Sequence, residues 1–421
     1  MKRSRMAGKR NKADSTETSP PKKAKPSKEA SSVRRPKVAG TAKQAKRKLA
    51  AKRRVAAKSS YDFPEPMPVG EVLADMQKGN WKLGKSIGRG GFGELYLAQR
   101  TLKQMSEDED KEANYVVKIE PEGNGPLFTE IHFYTRVGKA ETIQTWCKSH
   151  RLSIGVPCYV AHGKHTKRGK SYRFLVLPRL GDDLEKLFVK CGRIFSAKTV
   201  CQLALTILNS LEYLHEHEYV HADIKGSNLL VESVKGACEQ VYLVDYGLVS
   251  RYTIGGKHRE YKEDPRKAHD GTVEFTSIDA HNGVAPSRRG DLEILGYVLL
   301  QWSCGQLPWE VNLSNKDYVK KEKQNLMENL DSRLSSCFST GRCPGELLEY
   351  FKYVKGLLHA DKPDYGVIRR IFRNALRRQG HHNDGVYDWN VSSPLVQKHG
   401  KKMKRVKAGD SDAKSKPKSK P

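Results

Sequence analysis

Polar and apolar residues change rhythm once along this chain. Between residues 80 and 178 the apolar positions fall in short runs, at 80–87, 94–98, 115–119 and 172–177. Runs of this length, mostly alternating and rich in Val, Ile, Tyr and Phe, predict strands. From residue 196 onward the spacing lengthens. Leu203, Leu205, Ile207, Leu208, Leu211 and Leu214 keep a helical period over 196–217, and 292–302 is apolar enough for a central buried helix. A helix is also expected after Gly125, an extra one over 139–153, and several shorter ones over 310–395. One of these, 365–378, carries an Arg-rich face read as solvated. A short strand is expected over 240–245. The pattern is α+β: a β-rich lobe followed by a larger helical lobe.

Charge divides the chain further. Of the net charge of +29, residues 1–60 carry +18 and residues 398–421 carry +8, so the stretch between is nearly neutral. The organisation expected is a basic tail at 1–60, a small lobe at 61–180, a large lobe at 181–395 and a second basic tail at 396–421. The tails are Lys, Arg, Ala, Ser and Pro with almost no aromatics, too polar to offset chain entropy, and disorder is expected there. Their basic clusters suit nuclear import and contact with DNA phosphates, the alternative being a solubilising tail with no partner. The eight cysteines include no C-x-x-C pair, and free thiols in a reducing compartment are expected. No run of eighteen apolar residues occurs, so no membrane anchor is expected.

The chemistry concentrates at 219–228, where His221, Asp223, Lys225 and Asn228 stand in the pattern H-x-D-x-K-x-x-N. Asp223 suits acceptance of a proton from a substrate hydroxyl, and Lys225 suits neutralisation of charge on a transferred phosphoryl group. Asn228 offers a hard oxygen for Mg²⁺, and Asp245, seventeen residues on, offers another. Upstream, Gly88, Arg89, Gly90, Gly91, Phe92 and Gly93 form G-x-G-x-x-G between two strands, flanked by Ile87, Glu94 and Leu95. A dinucleotide turn leads into a helix, whereas strand–loop–strand fits a flap over ATP phosphates, with glycines letting backbone N–H groups approach. Lys118 lies on the next strand, and Glu130, twelve residues later, is placed to pair with it. Pro178 offers a C=O and Leu180 an N–H just after the last strand of the small lobe, a segment that in protein kinases, which this pattern resembles, joins the lobes and hydrogen-bonds adenine.

In this order and spacing, the glycine loop, Lys118, Glu130, His221-Ala-Asp223 and Asp245-Tyr-Gly247 resemble a eukaryotic protein kinase. The stretches 239–248, 261–265 and 269–296 resemble the vaccinia-related kinases, a branch of the casein kinase 1 group, and its nuclear members most. The resemblance implies a bilobal kinase fold, ATP and Mg²⁺ as cofactors, and Ser/Thr hydroxyls of proteins as acceptors. It also implies a nuclear location, chromatin substrates such as histones and the barrier-to-autointegration factor, and a monomer.

Departures from the family pattern carry meaning. Ala222 replaces the Arg that elsewhere binds an activation-loop phosphate, so readiness without that phosphate is expected. Ser277-Ile-Asp279 replaces Ala-Pro-Glu, so that either Asp279 takes the Glu's place as partner of a buried Arg or the branch braces the segment differently. Thr272 is expected to bond Asp223 and Lys225. The rival reading is a catalytically silent chromatin-binding scaffold. The full set of glycines and metal ligands argues against it.

Overall fold

The computed structural model describes residues 62–90, 93–101, 114–232 and 239–390. Both basic tails, Gly91, Phe92 and Cys238 lie outside the described residues.

Six antiparallel strands form the small lobe in the order β1-β2-β3-β4-β6-β5. They are β1 (Val72–Ala74), β2 (Asn80–Arg89), β3 (Glu94–Thr101), β4 (Tyr115–Pro121), β5 (Ala161–Lys167) and β6 (Lys170–Pro178). Alternation in β2 and β3 buries Trp81, Leu83, Tyr96 and Ala98 against Val117, Ile119 and Phe174. Strand β5 (AHGKHTK) has no apolar period and was not expected. Its signal is the turn that follows: Arg168 and Gly169 both have positive φ (49° and 76°) and place Lys167 opposite Lys170. Two such residues are what a tight hairpin requires.

Helix α1 (Pro126–Val137) packs on the sheet, and the expected extra helix α2 (Ala140–His150) is tied through Trp146 to Tyr213 and Glu216 at the end of the long helix Ala197–Glu216. The large lobe contains α3 (Leu184–Lys190), α4 (Ala197–Glu216), α5 (Ile278–His281), α6 (Arg288–Cys304), α7 (Lys316–Glu328), α8 (Leu330–Ser336), α9 (Gly345–Lys355) and α10 (Tyr365–Arg378). Ser196 caps α4 by accepting the Thr199 N–H, and Ser287 caps α6 by accepting that of Gly290. Helix α6 is buried continuously from Gly290 to Trp302 and is the axis on which α4 and α9 pack. The α+β pattern, and the two-lobed fold that the resemblance implied, are what the structure has.

Two local expectations need correction. The 240–245 strand is only β9 (Val241–Leu243), paired with β8 (Leu229–Val231); it stops before Asp245 because Asp245 turns into the left-handed region at φ 64°. The Arg face of α10 is not wholly solvated, since Arg369 donates to Glu212 Oε2 at 2.5 Å on α4 with both side chains largely buried.

Candidate active site

The site is assembled from the strand β4 upward. Lys118 sits opposite Leu95 on one side and Leu175 on the other. Its Nζ lies 2.7 Å from Glu130 Oε2 and 2.9 Å from Asp245 Oδ1. Burial works against the ammonium, but Glu130 and Asp245 outweigh it and hold Lys118 above its ordinary value. Asp245 is likewise held below the usual carboxylate range, the Lys118 charge overcoming burial.

Glu130 is placed by contacts beyond Lys118. Its Oε1 accepts the Tyr246 N–H at 3.1 Å, and the Tyr246 ring stacks on Phe133, one helical turn along α1, at 4.0 Å. The start of α1 is fixed by Glu120, which sequence reasoning missed. This buried carboxylate accepts the Leu127 N–H at 3.0 Å and lies 3.9 Å from Lys118 Nζ.

The segment from β7 (Tyr219–Val220) to β8 is held from below by Asp291 of α6, also missed. Asp291 accepts the N–H groups of His221 and Ala222, each at 2.8 Å, and the Nε2–H of His215 at 2.8 Å. These bonds sustain Ala222 at φ 65°, a conformation costly for a residue with a Cβ. Beyond it, Asp223 Oδ1 accepts the Thr272 hydroxyl at 2.6 Å, and Oδ2 accepts Lys225 Nζ at 2.7 Å. Lys225 also donates to Thr272 Oγ1 at 2.8 Å, which closes the expected Asp–Lys–Thr triangle. Gly271 makes this approach possible: at φ 91° a Cβ there would lie 2.5 Å from Thr276 Oγ1.

Asn228 Nδ2 donates to the Asp223 carbonyl at 2.9 Å and to Oδ2 at 3.2 Å, which turns its Oδ1 away from Asp223. The Val244 N–H bonds the Asn228 carbonyl at 2.9 Å, and His221 Nε2–H donates to the Val244 carbonyl at 3.1 Å. The stretch bearing Asp245 is therefore tied directly to the stretch bearing Asp223. Among the described residues no three His, Cys, Asp or Glu side chains gather as a metal site. Two hard oxygens, Asp245 and Asn228 Oδ1, suit an ion that takes its remaining ligands from phosphates and water, the habit of Mg²⁺.

Over this cluster lies the hairpin β2–β3. Ile87 is half exposed, Gly88 pairs with Leu95, and the Gly90 N–H bonds the Gly93 carbonyl at 2.9 Å. Arg89 is 3.7 Å from Glu94, whose other oxygen accepts the Ser86 hydroxyl at 2.8 Å. The glycines differ in what they allow. A Cβ on Gly88 would meet nothing within 4 Å, whereas one on Gly93 would lie 2.5 Å from the Ile119 carbonyl. Phosphate approach does not explain Gly93, which is required by packing against β4. At the segment joining the lobes the Arg179 N–H bonds the Asn114 carbonyl at 2.9 Å, on the β4 side. Alternation of the extended chain turns the Pro178 C=O and Leu180 N–H the other way.

Asp279 behaves as its position in the motif suggested. Arg289 grips it with Nη2 at 2.6 and 2.7 Å and with Nε at 3.2 Å.

Comparison with known proteins follows the same lines. The family model described as "Protein kinase domain" matches residues 81–346. The chain is 46% identical over 312 residues to the human "Serine/threonine-protein kinase VRK2", covering 74% of this chain and 60% of that protein. It is 41% identical over 368 residues to "Nucleosomal histone kinase 1" of Drosophila melanogaster, covering 85% and 57%. The "B1 kinase" of monkeypox virus is 39% identical over 312 residues, covering 73% of this chain and 98% of that one. Among solved structures, "Structure of vaccinia related kinase 3" superposes with a TM-score of 0.66 at 33% identity, covering 76% of this chain and 95% of the other. The match thus spans about three fifths of the human and fly relatives and nearly all of the viral one. By family model, relatives and fold alike, the chain belongs to the vaccinia-related branch of the protein kinase family.

Proposed function

We propose that this chain is a serine/threonine protein kinase that uses ATP and Mg²⁺ and acts in the nucleus on chromatin-associated proteins. The observation that carries the reading is the joining of two clusters, Lys118–Glu130–Asp245 and Asp223–Lys225–Asn228–Thr272, through Val244. Bound Mg·ATP supplies the phosphoryl group and the metal charge that offsets it in transfer. The chain supplies position and electrostatics. Lys118, held by Glu130, binds phosphate oxygens beneath a flap from Ile87 to Leu95. Asp245 and Asn228 hold the metal. Pro178 and Leu180 offer an acceptor and a donor to the base. Asp223 orients an incoming hydroxyl and takes its proton, while Lys225 offsets charge on the transferred group. The end of the sheet at Pro178 and the start of the first large-lobe helix at Leu184 support a lobe division at 180/181.

The nuclear and chromatin part rests on the basic tails and on the fly relative, named as a nucleosomal histone kinase. Ala222 in place of a phosphate-binding Arg, with Asp223 already bonded to Thr272 and Lys225, supports readiness without activation-loop phosphorylation.

The test is phosphate incorporation into a Ser/Thr peptide and into histone by the purified chain. Lys118→Ala and Asp223→Asn are each expected to lower the rate by at least about 10²-fold, roughly 3 kcal/mol. Mg·ATP should still raise the melting temperature of Asp223→Asn. Near-normal transfer by Asp223→Asn would defeat the assignment and leave the scaffold reading.

A further inference from the structure

Helix α7 carries a lysine in its buried face. Lys323 is 0% exposed, yet among the described residues no carboxylate comes within ion-pair distance of its ammonium. Its three N–H donors are nevertheless matched by three acceptors. They are the Val273 carbonyl at 2.8 Å, the Thr276 carbonyl at 2.7 Å and His281 Nε2 at 3.3 Å. The charge also faces the rings of Tyr297 and Trp309, at 5.1 and 5.4 Å from their centroids. Trp309 is itself tied to the same segment, donating from Nε1 to the Glu274 carbonyl at 2.7 Å.

Burial pushes the Lys323 amine down to about 7 against the pull of Glu293 and Glu274, and the hydrogen-bond directions behind it follow from the charged form, which has no acceptor. His281 Nε2 must accept, so its Nδ1 carries the proton and donates to His269 Nδ1, 2.7 Å away. His269 is then protonated at Nε2, the atom that lies 3.8 Å from Asp317 on the surface. Burial and the neighbouring Lys323 charge push the His281 imidazole down to about 2, which keeps it neutral and able to accept.

Residues 272–276 are therefore gripped at both ends. Thr272 bonds Asp223 and Lys225 at one end, and Lys323 holds the carbonyls of Val273 and Thr276 from below. We propose that Lys323 is a positioning residue for phosphoacceptor binding: through residues 273–276 it sets the shelf beside Asp223 on which the substrate chain lies. Lys323 touches neither nucleotide site nor acceptor; it acts through Thr272. This inference rests on the kinase reading above.

Lys323→Met keeps the unbranched chain, one atom shorter, and removes the charge. In the full chain, the Mg·ATP-dependent rise in melting temperature and the KM for ATP are expected to stay within about twofold of wild type, while kcat/KM for a Ser/Thr peptide falls about 30-fold. In a Thr272→Val background the same substitution should cost less than about threefold, because both residues act through one segment. Should Lys323→Met fail to fold, Lys323→Gln, which keeps an amide donor, is judged by the same numbers. A peptide kcat/KM within about threefold of wild type, or an undiminished loss in the Thr272→Val background, overturns the proposal. Amide hydrogen exchange separates this from the kinase reading. Exchange at residues 272–276 should accelerate at least about tenfold in the variant, with 219–231 unchanged, whether or not the chain transfers phosphate. Unchanged exchange there would also sink it.

Discussion

Two residues near the reacting centre stand in the left-handed region without being glycine, Ala222 at φ 65° and Asp245 at φ 64°. Each is held by a bond to its own backbone or side chain: Asp291 accepts the Ala222 N–H, and Lys118 donates to the Asp245 carboxylate. Strain is tolerated at the residues whose direction matters most. The glycines of the hairpin make a sharper prediction. Gly93→Ala places a Cβ against the Ile119 carbonyl, backbone that cannot step aside, whereas the Cβ of Gly88→Ala points into open space. Gly93→Ala should therefore lower the melting temperature by several degrees, the effect of about 2 kcal/mol of overpacking. Gly88→Ala should leave melting unchanged and raise only the KM for ATP. Equal melting of the two variants would show that the β3–β4 contact is slack. The pairing of Lys118 with Glu130 was readable from a spacing of twelve residues. Asp291, Glu120 and Lys323 were not, because each serves backbone groups rather than a motif. Lys323 reaches carbonyls 50 and 47 residues away, and Asp291 reaches amides 70 and 69 away. No local pattern marks a side chain that answers a distant backbone.

At the scale of elements, the strands were legible where one face is buried, since alternation survives there, and illegible in β5, an edge strand with polar residues along both faces. Equally unforeseen was the segment after α10, which returns across the start of α4. Asp388 accepts the Ser196 hydroxyl at 2.7 Å and Asp384 accepts Lys198 and Gln202 at 2.8 and 2.7 Å. Trp389 stacks on Tyr387 and donates to Glu239 at 2.6 Å. The segment closes the base of the large lobe near the β8–β9 hairpin. Burial is the largest single effect on Asp384 and opposes its ionisation, but Lys198, Gln202 and the Val386 N–H together overcome it and hold the carboxyl well below its ordinary 3.8. A depressed folded value contributes stability that is complete above the unfolded value and is lost as pH falls below it. The melting gap between wild type and Asp384→Asn should thus be constant from about pH 8 to pH 5 and narrow below about pH 4. A gap that widens on acidification would mean that the carboxylate does not hold the segment.

The chain concentrates its charge toward its two ends. The sequence carries 77 basic and 48 acidic residues, and nearly all of the excess lies in residues 1–60 and 398–421. On the proposed function, a nearly neutral kinase body would carry the chemistry on a hydroxyl and the cationic ends the contact with a polyanion. If residues 1–60 provide the DNA contact, each phosphate they neutralise releases counterion, and the slope of log K against log salt reports their number at about 0.9 per contact for duplex DNA. Removing that stretch, or neutralising eight of its 21 Lys and Arg residues, should flatten the slope in proportion. Because Asp223, Lys225 and Lys118 are bound to partners within the body, the same change should leave kcat/KM on a short free peptide as it was. Phosphorylation of nucleosomal histone should fall, and more steeply at low salt, where the electrostatic attraction is least screened. An unchanged salt slope after deletion of residues 1–60 would move the DNA contact to the body or to the other end. A lost peptide activity would mean that the stretch also completes the catalytic fold.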